Sequence, residues 1–131
     1  MARKARVKST TGIYHVLIRA IADISMFNDN EDCEQDLRLF RDLESRGLCK
    51  IYAYAFLPTH QHLLIAEGEE NIGAIMKRVG SAYSYFFNVK YEHYGPIYLD
   101  RFKSNPVETK DYFLKVLDHI GSQQSETNYT C

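Results

Sequence analysis

The sequence predicts an α+β fold, and three observations carry that prediction. Segments rich in β-branched and aromatic residues alternate with segments whose apolar residues recur at helical spacing. Two of the strand-like segments are separated only by Pro58 and Thr59, the signature of an antiparallel hairpin. The length of 131 residues suits a single domain with a real core.

The elements follow in order. GIYHVLIRAI (12–21) is dense in β-branched and aromatic residues, as a buried strand is. DNEDCEQDLRLFRDLESRG (29–47) has Leu37, Phe40 and Leu43 at helical spacing, acids in its first turn and Gly47 just past its end. CKIYAYAFL (49–57) alternates Ile51, Ala53, Ala55 and Leu57 against Tyr52, Tyr54 and Phe56, and HQHLLIAEG (60–68) returns as its partner. A long helix is expected from Asn71, with Ile72, Ile75, Met76, Val79, Tyr83, Phe86 and Phe87 on one stripe. HYGPIYLDRFKSNPV (93–107) supplies a loop and a short strand, and a last helix runs from Glu108 or Thr109 to about Gln124. Residues 1–8 form a basic tail and 125–131 a polar, frayed end. The order β-α-β-β-α-β-α is the ferredoxin-like βαββαβ pattern, an antiparallel sheet with an additional C-terminal helix. That architecture hosts many functions, so function has to come from the residues it displays.

A net charge of −1 gives no bulk signal for nucleic acid. The charge is unevenly spread, however. Arg3, Lys4, Arg6 and Lys8 crowd the start, and Lys77, Arg78, Lys90, Arg101 and Lys103 recur in the second half, whereas eight acids lie between Asp23 and Glu44. An acidic helix can thus mask a basic surface. Cys33, Cys49 and Cys131 are widely spaced with no CxxC, which points to reduced thiols and a cytoplasmic protein. No apolar run is long enough to cross a bilayer, and MARKARVKS lacks the apolar stretch of a signal peptide.

The segment FLPTHQHLLIAEG (56–68) carries the clearest chemistry. In a strand, positions i and i+2 share a face, so His60 and His62 point one way and Gln61 the other. Two imidazoles on one face form a pair of nitrogen ligands for a divalent metal. The competing reading is one packed and one solvated histidine. His15 on the first strand and His93 in a loop read as structural or solvated.

YHVLIRA, LPTHQHLLI, AYSYFFN and YLDRFKS stand in the order and spacing of the single-tyrosine transposases. The sequence resembles the IS200/IS605-like enzymes of the HUH type and their relatives, the REP-associated tyrosine transposases, over roughly residues 9 to 124. Gln61 replaces the hydrophobic residue usual between the two histidines. The resemblance implies a DNA transposase that binds single-stranded or hairpin DNA. It implies Mg²⁺ or Mn²⁺ held by His60, His62 and Gln123, and cleavage and rejoining through a 5′-phosphotyrosine. It also implies a homodimer with no membrane association.

One departure stands out. LDHIGSQ (117–123) matches the motif of the last helix, with Gln123 at the third ligand, but His119 occupies the position of the nucleophilic tyrosine. Tyr112 is an alternative nucleophile. At ~100° per residue it lies about 20° from His119 around the helix, yet ~10 Å away along the axis. Its apolar neighbours Phe113, Leu117 and Ile120 are expected on the buried stripe. Together with an end soon after Gln123, His119 fits a decayed copy, so a cleavage-deficient DNA-binding module stays open. Arg101, Lys103, Lys77, Arg78, Arg3, Lys4 and Arg6 are candidate phosphate contacts, and Tyr85 a stacking platform for a base. Tyr83 and Phe86 belong to the core. An RNA-recognition module lacks its aromatic-basic motifs here, and a two-histidine phosphoesterase lacks its second histidine motif.

Overall fold

Seven elements follow one another in the expected order in a computed structural model that describes residues 6–125. They are β1 (Ile13–Arg19), α1 (Asn30–Ser45), β2 (Cys49–Phe56), β3 (His60–Glu67), α2 (Ile72–Lys90), β4 (Lys103–Pro106) and α3 (Lys110–Ser125). Arg3 and Lys4 of the basic tail, Cys131 and residues 126–131 of the expected frayed end lie outside the described residues. Among the described residues, no helix is long and apolar enough to cross a membrane.

The sheet has the order β2-β3-β1-β4, and each neighbouring pair is antiparallel. The β1-α1-β2 crossover leaves a slot between its two strands, which the tight β2–β3 hairpin fills, while β4 takes the other edge of β1. Helix α1 starts where Asp29 accepts a hydrogen bond from the Asp32 amide at 3.0 Å. It stops at Gly47, whose φ of +76° suits glycine. Gly68 has a different reason: a Cβ there would collide with the Gly47 carbonyl oxygen, so only glycine lets these two turns touch.

The two faces of the sheet carry unequal cores. Tyr14, Val16, Ile18, Phe56, Leu63 and Ile65 pack with Phe40, Ile75, Val79 and Tyr83 of α1 and α2. The Tyr83 hydroxyl donates to the Met26 carbonyl at 2.5 Å, which settles it as a core residue. The opposite face is covered by α3, through Val116 and Ile120 against Ala55, Leu64 and Val107. Val116, not Leu117, therefore shares the buried stripe with Phe113 and Ile120; Leu117 faces outward and is exposed. The helix is rotated slightly from its sequence-predicted setting because the small Ala53 and Ala55 admit the β-branched Val116 there.

The expected alternation along β2 is broken. Ile51 pairs with Ile65 and Ala53 with Leu64, so Tyr52 is the extra residue of a bulge. Ile51 consequently joins the α1/α2 core while Ala53, Ala55 and Leu57 join the α3 side. Tyr52 turns its ring edge-on to Phe113 at 5.1 Å and props the N-terminal half of α3.

At ~1.5–3 kcal/mol for each buried aliphatic side chain, the two fully buried residues of α3 hold it far more weakly than the main core holds α1 and α2. A polar tie at its C-terminal end therefore matters. Gln124 Oε1 accepts from the Phe56 amide at 2.9 Å. We expect Gln124→Ala to cost about 1 kcal/mol and to speed hydrogen exchange in the last turns of α3 while leaving α2 protected. Uniform acceleration across both helices would contradict a local role.

Candidate metal and nucleic-acid site

The first residues of β3 and the last turns of α3 meet at one end of the sheet. Alternation sets His60 and His62 on the α3 side of the sheet and Gln61 on the other. Gln61 is buried there, and its Nε2 donates to Asp36 Oδ2 of α1 at 2.5 Å. The rings of His60 and His62 lie 5.1 Å apart, close to perpendicular. Gln123 is hydrogen-bonded to His60. One turn earlier on α3, His119 sets its ring 5.5 Å from that of His62. The structure thus brings together His60, His62, Gln123 and His119. Tyr112 stays seven residues, ~10 Å of helix, up the axis, beside Phe113 at the Tyr52 end.

A fourth imidazole joins them. His15 Nε2 lies 3.1 Å from His62 Nδ1, and the two rings stack at 5.3 Å. The sequence reading of His15 as structural or solvated missed this contact. The strand register explains it: His15 opposes Leu64 and Leu17 opposes His62, so both β1 residues share the histidine face. Arg19 was also missed. It opposes His60 directly and is exposed. No local pattern marks either residue, because only the pairing of β1 with β3 puts HVLIR alongside HQH. His93, by contrast, bonds Asn88 at 2.8 Å and packs on Phe87, a structural role as expected.

Burial lowers the basicity of these histidines. His62 is pushed down to about 4, first by burial and then by the neighbouring His15, His60 and His119. His15 is lowered by burial and by His119, and His60 by burial and the Arg19 guanidinium, against an opposing hydrogen bond that His60 donates to Gln123. Neutral imidazoles with free lone pairs are what a metal requires. Two imidazoles and an amide oxygen, with no carboxylate, fit a divalent ion that completes its shell from phosphate oxygens and water. Gln123 supplies the oxygen that Mg²⁺ prefers, and the nitrogens favour Mn²⁺ over Mg²⁺.

Among the described residues, the group of three His, Cys, Asp or Glu side chains whose ligand atoms lie within 4.8 Å of one another is Asp29, Glu31 and Asp32. Lys90 Nζ already sits 2.9, 2.7 and 2.7 Å from these carboxylates, so an ammonium does there what a metal would do. Much of the acidic charge near the start of α1 is spent in this way.

The basic residues fall into three places. Leu17 and Arg19 line a hollow with Thr59, His60 and His62, and continue into a groove with Leu99, Asp100, Arg101 and Lys103. Arg101 then opens a cleft of about 480 Å³ that also takes in Arg6 and Lys77. Arg6 stacks its guanidinium 3.6 Å above the Phe102 ring. Arg78 lies elsewhere, held by Glu70 at 2.8 and 2.5 Å, in a groove it shares with Tyr85 between α1 and α2. Tyr85 is 74% exposed, unlike its buried neighbour Tyr83.

Comparison with protein-family models gives no match, and comparison with curated protein sequences gives none either. Solved structures do match. A REP-associated tyrosine transposase bound to a REP hairpin superposes with a TM-score of 0.76 at 13% identity, over 99% of this chain and 76% of that one. A candidate transposase from Deinococcus radiodurans superposes with a TM-score of 0.58 at 19% identity, over 94% of this chain and 98% of that one. At such identities the likeness is one of fold. The four-stranded antiparallel sheet with its additional C-terminal helix is the fold of a REP-associated tyrosine transposase.

Proposed function

We propose that this chain is a transposase-type protein that binds single-stranded or hairpin DNA across the His60–His62 face. The observation that carries this reading is the continuity of the histidine pair, with Gln123 above it, into the Arg19–Lys103–Arg101 groove. The solved relative of this fold carries a REP hairpin, which supports a hairpin as the ligand.

On this reading each residue has a task. Arg19, Arg101 and Lys103 neutralise successive phosphates and draw a strand along the groove. Arg6 and Lys77 take the continuation of the strand, or the stem of the hairpin, where the groove widens. His60, His62 and Gln123 would hold Mg²⁺ or Mn²⁺, which when bound polarises a phosphoryl oxygen. Helix α3 carries position 119 over this point, where a phenol would attack. His119 has no such oxygen. This favours the cleavage-deficient module over an active strand-transfer enzyme. Arg78 and Tyr85 lie off this path.

Two further parts belong to the proposal. A homodimer would cover the β2 edge and the exposed Leu114 and Leu117 of α3; sedimentation at tens of micromolar tests it, and a monomer with and without DNA would exclude it. A DNA ligand and the buried thiols of Cys33 and Cys49 suit the cytoplasm.

The test is fluorescence anisotropy on a hairpin with a single-stranded flank, against a blunt duplex, over a salt series. The hairpin should bind more tightly, and Arg101→Ala with Lys103→Ala should flatten the salt slope by about 2, roughly 1 for each lost phosphate contact. No binding at low salt, or an unchanged slope, would sink the reading.

A further inference from the structure

His15 belongs to neither the expected ligand set nor the nucleophile position, yet it makes a direct nitrogen–nitrogen contact with His62. Resting on the metal site proposed above, we infer that His15 is a positioning residue that decides which nitrogen of His62 faces the metal. The contact is specific: His15 Nε2 to His62 Nδ1 at 3.1 Å, with the rings inclined by only 21°.

A neutral imidazole has one nitrogen that donates and one that accepts. Only the nitrogen with the free lone pair can bind a metal. If His62 donates its Nδ1–H to His15 Nε2, the lone pair of His62 resides on Nε2, the nitrogen turned away from His15. In the partner histidine, Nδ1 is engaged by a hydroxyl instead, Thr59 Oγ1 at 3.1 Å. A free histidine in water prefers the opposite form, with the proton on Nε2, so without His15 the ligand nitrogen of His62 is blocked in its more populated tautomer. Partners that fix the tautomer of a ligating histidine typically change metal affinity by about 10- to 100-fold.

The structure also shows why β1 can do this. His15 is carried on a strand whose alternate residues Tyr14 and Val16 are locked in the α1/α2 core. Its ring is therefore tied to the sheet rather than to the weakly held α3.

Two measurements test the inference on the whole chain. Long-range ¹H–¹⁵N correlation spectra at neutral pH without metal report the tautomer of each histidine. His62 should show the Nδ1–H form in the parent chain and should move to the Nε2–H form in His15→Ala. Titration with Mn²⁺ alone, followed by electron paramagnetic resonance, should show a loss of about 10- to 100-fold in affinity for His15→Ala. His15→Gln, whose amide oxygen accepts from Nδ1–H, should restore most of it. An Nε2–H tautomer of His62 in the parent chain would overturn the inference, and so would unchanged Mn²⁺ affinity in His15→Ala or a His15→Gln as weak as alanine. A parent chain with the Nδ1–H form that binds no Mn²⁺ would uphold the positioning bond and overturn the metal reading instead.

Discussion

Replacing His119 with tyrosine is expected to let the proposed DNA-binding module form a covalent DNA adduct. In the proposed site the attack would start from position 119: its ring is 5.5 Å from that of His62, and its helix is held on both sides by Val116, Ile120 and the Gln124–Phe56 bond. A phenolic oxygen there can form a bond to the scissile phosphorus as the P–O bond to the leaving 3′ oxygen breaks. The products are a 5′-phosphotyrosine and a free 3′-OH, the phenolic proton passing to solvent or a neighbouring imidazole and a proton from solvent reaching the leaving 3′ oxygen. The parent chain should give no denaturant-resistant species, and His119→Tyr should raise adduct formation by at least about 100-fold, since losing a nucleophile usually costs more than that. The gain should require Mg²⁺ or Mn²⁺ and should vanish in a His60→Ala background. Denaturing gels with a labelled hairpin supply the measurement. Adduct formation by the parent chain that Tyr112→Phe removes would overturn the assignment and make Tyr112 the nucleophile.

A second large effect is expected behind the same strand. Asp36 is buried, and desolvation pushes its carboxyl up to about 7, only partly opposed by the hydrogen bond from Gln61. The sign follows from proton counting. Between the ordinary carboxylate value and 7, the folded chain holds a proton that the unfolded chain has released, so stability falls as pH rises through this window. From pH 5 to pH 8 the loss is on the order of 2–3 kcal/mol, because a one-proton difference costs about 1.36 kcal/mol for each pH step of one. Asp36→Asn keeps the shape and a partner for Gln61 but cannot ionise. It should therefore be close to neutral at pH 5 and more stable than the parent by about 2 kcal/mol at pH 8, read from urea unfolding at both values. Equal effects at the two pH values would show that Asp36 does not titrate in the folded chain.

Asp36 also shows how the sequence can be informative and incomplete at once. That Gln61 points away from His60 and His62 follows from strand alternation alone. That it points at a carboxylate from α1 does not, because residues 25 positions apart meet only when helix and sheet pack. The same holds for α3. Its helical period placed His119, Gln123 and Tyr112 on one side, and the structure keeps that relation. The period did not tell Val116 from Leu117 as the buried residue, since the small alanines that receive α3 belong to β2.

The local pattern of apolar residues determined the elements of this protein, their order and the shared face of His60 and His62, because alternation and helical spacing are properties of the backbone near each residue. The motifs around Gln123 and His119 likewise stood in the sequence, including the absence of tyrosine from position 119. Tertiary structure alone decided the rest. Antiparallel register set His15 beside His62 and Arg19 beside His60. The bulge at Tyr52 reversed the faces of β2, and Lys90 took up the acids at the start of α1. The physical reason is common to all of these: each contact joins segments distant in sequence, and its existence depends on which strands pair and which helix covers which face.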